Sequence, residues 1–159
     1  MPVTSSAVEK FGNKIRVRVC GLLYNDERLL LLNHKGLYGH DFWSPPGGGI
    51  EFGETAENAL KREFFEECKL NVAVGNFLFA CEFVQPPMHA IELFFPVTAS
   101  GKAQLGNDPE MAGKDLLTEL KYWSSTDLQA LPPHQRHGIF KLTVEPSKVL
   151  GLRGFFPVT

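Results

Sequence analysis

The chain has 159 residues, enough for one well-buried core and too few for two ordinary domains, so a single domain over residues 1–159 is expected. Hydrophobic residues at 43% and charged residues at 21% exclude a largely disordered chain, and a net charge of -2 gives no electrostatic case for nucleic acid or an anionic membrane surface. Cys20, Cys68 and Cys81 are odd in number, far apart and without a C-x-x-C pair, which argues for buried reduced thiols over a disulfide framework or zinc site.

The first ten residues contain no signal-peptide core, and no run approaches the ~20 apolar residues of a membrane span, so a cytoplasmic protein is expected. After this short polar arm, residues 15–24 alternate apolar and polar and then become continuously apolar, as a strand entering a core does. Residues 25–27 form a turn, and 28–34 are too few for a typical helix, so the two segments read as a β-hairpin. Arg16 and Arg18 share one strand face by period two. They are either solvated and ion-paired or the grip on a substrate phosphate or carboxylate. Residues 35–41 read as a polar loop, with His34 and His40 as surface residues.

Residues 45–54, Pro-Pro-Gly-Gly-Gly-Ile-Glu-Phe-Gly-Glu, form a glycine loop whose main chain can approach a ligand closely. A helix follows, starting at Glu54 or Thr55 and running through Cys68 without proline. At ~100° per residue Leu60, Phe64 and Cys68 form an apolar stripe. Glu63, Glu66 and Glu67 gather beside it with Ala56 and Ala59, while Asn58, Arg62 and Lys69 lie opposite the stripe. Three carboxylates on one helix side repel one another, and a divalent cation reverses that sign. No Gly-Lys-Ser/Thr follows the glycines, so this is not a P-loop.

Gly48, Glu54, Arg62, Glu63, Phe64, Glu66, Glu67 and Leu70 fall at the spacing of the Nudix box, and the stretch resembles that family's signature. Lys69 stands where the family pattern has glycine. A left-handed helix end costs a non-glycine residue ~1 kcal/mol or more, so either Lys69 bears that strain or the helix runs on and ends at Asn71.

Beyond the helix, residues 71–85 and 90–98 read as two long antiparallel strands joined by a turn at 86–89. Glu82 and Glu92 interrupt them; either that sheet face is wet or each acid has a partner. Residues 99–114 read as a mobile loop and 117–123 as a strand. Ser125 or Thr126 caps a short helix through Leu131, and a last helix runs over 134–144 until Pro146 ends it. The tail has no period, and Phe155 and Phe156 are expected to dock on the domain.

These elements give an α+β class. The resemblance implies an α/β/α sandwich with a mixed, largely antiparallel sheet. It also implies metal-dependent hydrolysis of a diphosphate linkage, with Glu63, Glu66, Glu67 and the Gly47 carbonyl as ligands of Mg²⁺ or Mn²⁺. Glu63 is a ligand or the base acting on water, and Arg62 and Glu54 orient the carboxylates. Glu82, Glu92 and Glu110 are further candidates for the base. Arg16, Arg18 and Gly48 are the candidate substrate contacts. A proline sixteen residues past the box, Pro86, resembles the ADP-ribose-cleaving branch, although it also serves simple turn chemistry. The expected substrate is therefore a small nucleotide-type molecule, ADP-ribose or a nucleotide sugar, ahead of a nucleoside triphosphate. Tyr24, Trp43 and Phe83 are available to stack its rings. A nucleotide-binding regulatory domain without turnover is the alternative of another class, and a homodimer is compatible with either.

Overall fold

A computed structural model of the chain describes residues 5–107 and 116–159. The expected hairpin is present: β1 (Lys14–Asn25) turns into β2 (Arg28–Asn33) with Tyr24 opposite Leu29. Asp26 and Glu27 take positive φ at the two central turn positions, the backbone that a tight two-residue hairpin demands. β7 (Met88–Ala99) lies parallel to β1 over ten paired positions and antiparallel to β6 (Phe79–Gln85). Two short strands, β3 (Trp43–Ser44) and β4 (Gly47–Gly49), pair with β2 and β1. β5 (Val72–Val74) pairs with β7, β8 (Glu119–Trp123) with β2, and β9 (Gly154–Pro157) runs parallel to β6. The described strands thus form one mixed sheet, largely antiparallel.

Both faces of this sheet are covered, which is why β2 carries four consecutive leucines. Leu30 and Leu32 pack with Val19 and Leu23 against Leu60 and Phe64 of α3 (Ala56–Cys68). Leu29 and Leu31 face the other way, with Leu128 of α4 (Ser125–Ala130) and Val149 of α5 (Pro146–Gly151). Gly21 sits under Phe64, where a Cβ would clash with the ring, so a missing side chain in β1 sets how closely α3 approaches the sheet. The result is an α/β/α sandwich.

Several local expectations are corrected. The polar arm contains α1 (Ser5–Phe11), and the 35–41 loop contains a single turn, α2 (Lys35–Tyr38). Residues 71–85 are broken into β5 and β6, both paired to β7. Ser124 caps α4, because its hydroxyl and the Asp127 carboxylate bond reciprocally to each other's backbone N–H groups. No single helix covers 134–144: two 3₁₀ turns, Pro133–Gln135 and Gly138–Lys141, stand there, and Pro146 opens α5 instead of closing a helix. The tail docks through Val158, which is buried, and through half-buried Phe156, whereas Phe155 is exposed.

Candidate functional site

The site starts at the beginning of α3. Thr55 caps the helix by accepting the Asn58 N–H, which fixes the first turn directly after the glycine loop. Arg62, one turn further, is not a solvated surface residue. Its Nε and Nη2 donate to both Glu54 oxygens at 2.9 and 3.0 Å, its Nη1 to Glu63 at 2.8 Å and to Glu66 at 3.4 Å, and its Nη2 also to the Gly49 carbonyl at 3.1 Å. Hydrogen bonds from Arg62 hold the Glu54 carboxyl below the usual carboxylate range, and Glu54 in turn holds the guanidinium's proton more tightly.

Glu63 and Glu67 are buried, and Glu66 is half-buried. Glu67 accepts the Gly47 N–H at 3.0 Å. A Cβ at Gly48 would collide with the Glu63 carboxylate, and one at Gly47 with the Val19 carbonyl. The all-glycine strand β4 is therefore a window through which α3 presents its acids to the far side of the sheet.

On that side lies a cavity of about 470 Å³ reached by Glu63, Glu67, Gly47 and Gly48. Its floor is the sheet face carrying Arg16, Arg18, Glu92 and Phe83, and its walls include Phe11, Tyr38 and Phe42. All five histidines of the chain line it, so His34 and His40 are cavity residues and not merely loop surface. Burial, with Arg18 and His137 nearby, pushes His34 down to about 3. Of the three aromatic candidates only Phe83 belongs here; Trp43 stacks edge-on with Trp123 in the core, and Tyr24 sits at the hairpin.

Arg18 and Arg16 part ways. Arg18 donates to Glu92 at 2.7 Å, while the Arg16 guanidinium lies 3.7 Å above the Phe11 ring and lines the cavity. Glu92 also meets His137 Nε2 at 2.7 Å. His137 Nδ1 accepts the Ile139 N–H, which leaves the ring proton on Nε2, so Nε2 donates to Glu92. Burial alone would raise the Glu92 carboxyl, but His137 and Arg18 hold it down to about 2. A carboxylate that acidic is a poor proton acceptor at neutral pH, which argues against Glu92 as the base. Glu82 lies one residue out of phase with Glu92, on the opposite sheet face, and pairs with His89 at 3.1 Å. Both strand acids thus have partners. Glu110 lies outside the described residues.

Among the described residues, no three Asp, Glu, His or Cys side chains close on one point. The donors at the glycine window are nonetheless all hard oxygens, the carboxylates of Glu63, Glu66 and Glu67 beside loop carbonyls. Few protein ligands around a cation that retains several waters is the pattern of Mg²⁺, so the donor set fits such an ion. Among the described residues, no helix is long and apolar enough to cross a membrane.

A family model described as the NUDIX domain matches residues 14–142. The chain is 31% identical over 99 residues to an ADP-ribose pyrophosphatase of Methanocaldococcus jannaschii, covering 60% of this chain and 59% of that one. It is 42% identical over 57 residues to an RNA pyrophosphohydrolase of Saccharophagus degradans, 34% of each chain. The chain therefore spans less than two thirds of the length of these relatives. A NUDIX hydrolase structure from Nitrosomonas europaea superposes with a TM-score of 0.70 at 17% identity, over 89% of this chain and 93% of that one, a likeness of fold.

Proposed function

The chain belongs to the NUDIX domain family, and from that premise we propose that it is a metal-dependent hydrolase of the diphosphate linkage in a nucleoside diphosphate joined to another moiety, of the ADP-ribose or nucleotide-sugar type. The observation that carries the reaction is the Arg62 cluster. One guanidinium fixes Glu54, Glu63, Glu66 and the Gly49 carbonyl at the glycine window, beside a cavity with room for a nucleotide.

In this reading Glu63, Glu66 and Glu67, with the Gly47 carbonyl, hold a Mg²⁺ or Mn²⁺ ion. When bound, the ion neutralises charge on the phosphoryl oxygens and makes an attacking water more acidic. Arg62 and Glu54 keep the carboxylates aimed, Gly48 leaves the space beside Glu63 open, and Arg16 and Arg18 lie where a substrate anion or ring enters. The base is drawn from the box acids, Glu63 first.

The substrate class is supported by the position of Pro86, the aromatic walls of the cavity, and the name of the Methanocaldococcus jannaschii relative. The same proposal places a single catalytic domain in the cytoplasm, supported by three buried free thiols, each of which burial pushes up. The test is a panel of ADP-ribose, nucleotide sugars and nucleoside triphosphates with Mg²⁺, the products identified by mass. We expect at least one diphosphate conjugate to give the highest kcat/KM. If every conjugate lies tenfold or more below the best triphosphate, the substrate class is wrong, and if nothing is cleaved the hydrolase reading fails.

A further inference from the structure

Glu66 and Glu67 stand in the last turn of α3, where a helix is least able to hold them. The carbonyls of a last turn have no partner inside the helix, and the negative end of the helix dipole disfavours carboxylates. No basic residue lies in that turn to offset the two acids. The chain closes two of the end carbonyls itself, since the Leu70 and Lys69 N–H groups bond to Phe64 and Phe65. The carbonyls of Glu66, Glu67 and Cys68 follow, and all three are taken from outside the helix.

Their donors come from residues 104–107, a strap that returns over the helix end shortly after β7 stops at Ala99. The Asn107 N–H donates to Glu66 at 3.1 Å, that of Gly106 to Glu67 at 2.7 Å and that of Gln104 to Cys68 at 2.9 Å. Ala103, just before the strap, packs on the same core layer as Leu60 and Phe64. The two backbones approach so closely that a Cβ on Gly106 would overlap the Glu66 carbonyl oxygen. The φ of Gly106 lies outside the left-handed region, so it is this contact, and not the torsion, that excludes a side chain.

We propose that residues 104–107 position the metal ligands: by taking the three end carbonyls, the strap keeps the last turn of α3 helical and holds Glu66 and Glu67 at the glycine window. Gly106 is the positioning residue, and the strap touches neither ion nor substrate. This rests on the metal reading above and deepens it by a coupling. Whatever docking of the strap adds to metal affinity, bound metal returns as protection of the strap, because linkage is reciprocal. The competing account is a helix cap that adds stability and nothing to the site.

Two measurements on the full chain separate these accounts. Mn²⁺ is titrated without substrate, with the free ion read by electron paramagnetic resonance, at a temperature where circular dichroism shows each protein folded. Gly106→Ala should bind Mn²⁺ at least fivefold more weakly than the parent. Val149→Ala, which opens space in the core layer on the other side of the sheet, controls for lost stability and should stay within twofold. In the parent, amide hydrogen exchange at Gln104, Gly106 and Asn107 should slow at least fivefold between EDTA and saturating Mg²⁺. The Leu152 N–H, bonded to the Val149 carbonyl at the end of α5, should change less than twofold. The exchange result decides alone should Gly106→Ala not fold. The inference is overturned if Gly106→Ala weakens Mn²⁺ less than fivefold, if Val149→Ala weakens it as much, or if the strap amides slow less than fivefold. A parent that binds no Mn²⁺ removes the metal reading and the role of the strap together. A parent that shows the coupling yet cleaves no diphosphate loses the reaction and keeps the strap.

Discussion

At Arg62 one planar guanidinium serves a loop acid, two helix acids and a loop carbonyl at once, a geometry that a lysine ammonium cannot copy. Arg62→Lys is expected to keep the fold, read by circular dichroism, and to lower kcat by roughly 10- to 100-fold, the range for losing a group that orients metal ligands. Glu92 gives a prediction in pH. Its carboxyl lies near 4.5 when unperturbed and about 2 here, so the folded state favours the ionised form. That contribution is present in full above pH ~4.5 and is lost as pH falls through 2. On the order of 3 kcal/mol is at stake, about 1.4 per unit. Chemical denaturation between pH 5 and 2 should show the parent losing stability more steeply than Glu92→Gln; equal slopes would show that the pair carries no such linkage.

The helix α3 is fixed at both ends by contacts outside itself. Its last turn would leave carbonyls unpaired. The segment after β7 supplies the donors: Gln104, Gly106 and Asn107 give their N–H groups to the carbonyls of Cys68, Glu67 and Glu66. That stretch of the 99–114 loop is docked on the helix that carries the acids, and residues 108–115 lie outside the described residues. A Cβ on Gly106 would collide with the Glu66 carbonyl, so Gly106→Ala should destabilise by about 1–3 kcal/mol in thermal or denaturant unfolding. Lys69 adopts φ 56°, ψ 32° at the C-terminal cap, which decides between the two helix ends in favour of the strained lysine. Lys69→Gly is expected to be neutral or stabilising by up to ~1 kcal/mol with unchanged metal affinity. A raised KM in that variant would instead give the lysine a role in binding substrate.

Across the whole molecule, the acids of α3 and the floor of the cavity belong to opposite faces of the sheet and meet because β4 has no side chains. Metal should therefore couple to stability. The parent should gain in melting temperature with Mg²⁺ and lose activity in EDTA. Glu67→Gln should lower kcat by orders of magnitude and lose most of the Mg²⁺-dependent gain, yet melt no lower than the parent in EDTA. The amide oxygen can still accept the Gly47 N–H, and a buried charge has been removed. Full activity in EDTA, or an unchanged Mg²⁺ response in Glu67→Gln, would contradict the metal assignment.

Local rules were sufficient for the hairpin at 25–27, for the capped start of α3 and for the box from Gly48 to Leu70, because period, capping and a long fixed spacing act within a few turns of chain. They failed over 134–144, where apolar residues at helical spacing are held as 3₁₀ turns by the core beneath Ile139 and Phe140 and by the Trp43 edge. The partners of Glu92, Arg18 and His137, lie 74 and 45 residues away, and no local pattern joins them. Five histidines scattered from 34 to 137 carry no common motif, yet they line one cavity. What the chain wrote into short-range spacing was the acid helix and its glycine window. What required the folded sheet was the ligand cavity, because its floor is a row across three strands and a row exists only once their register is set.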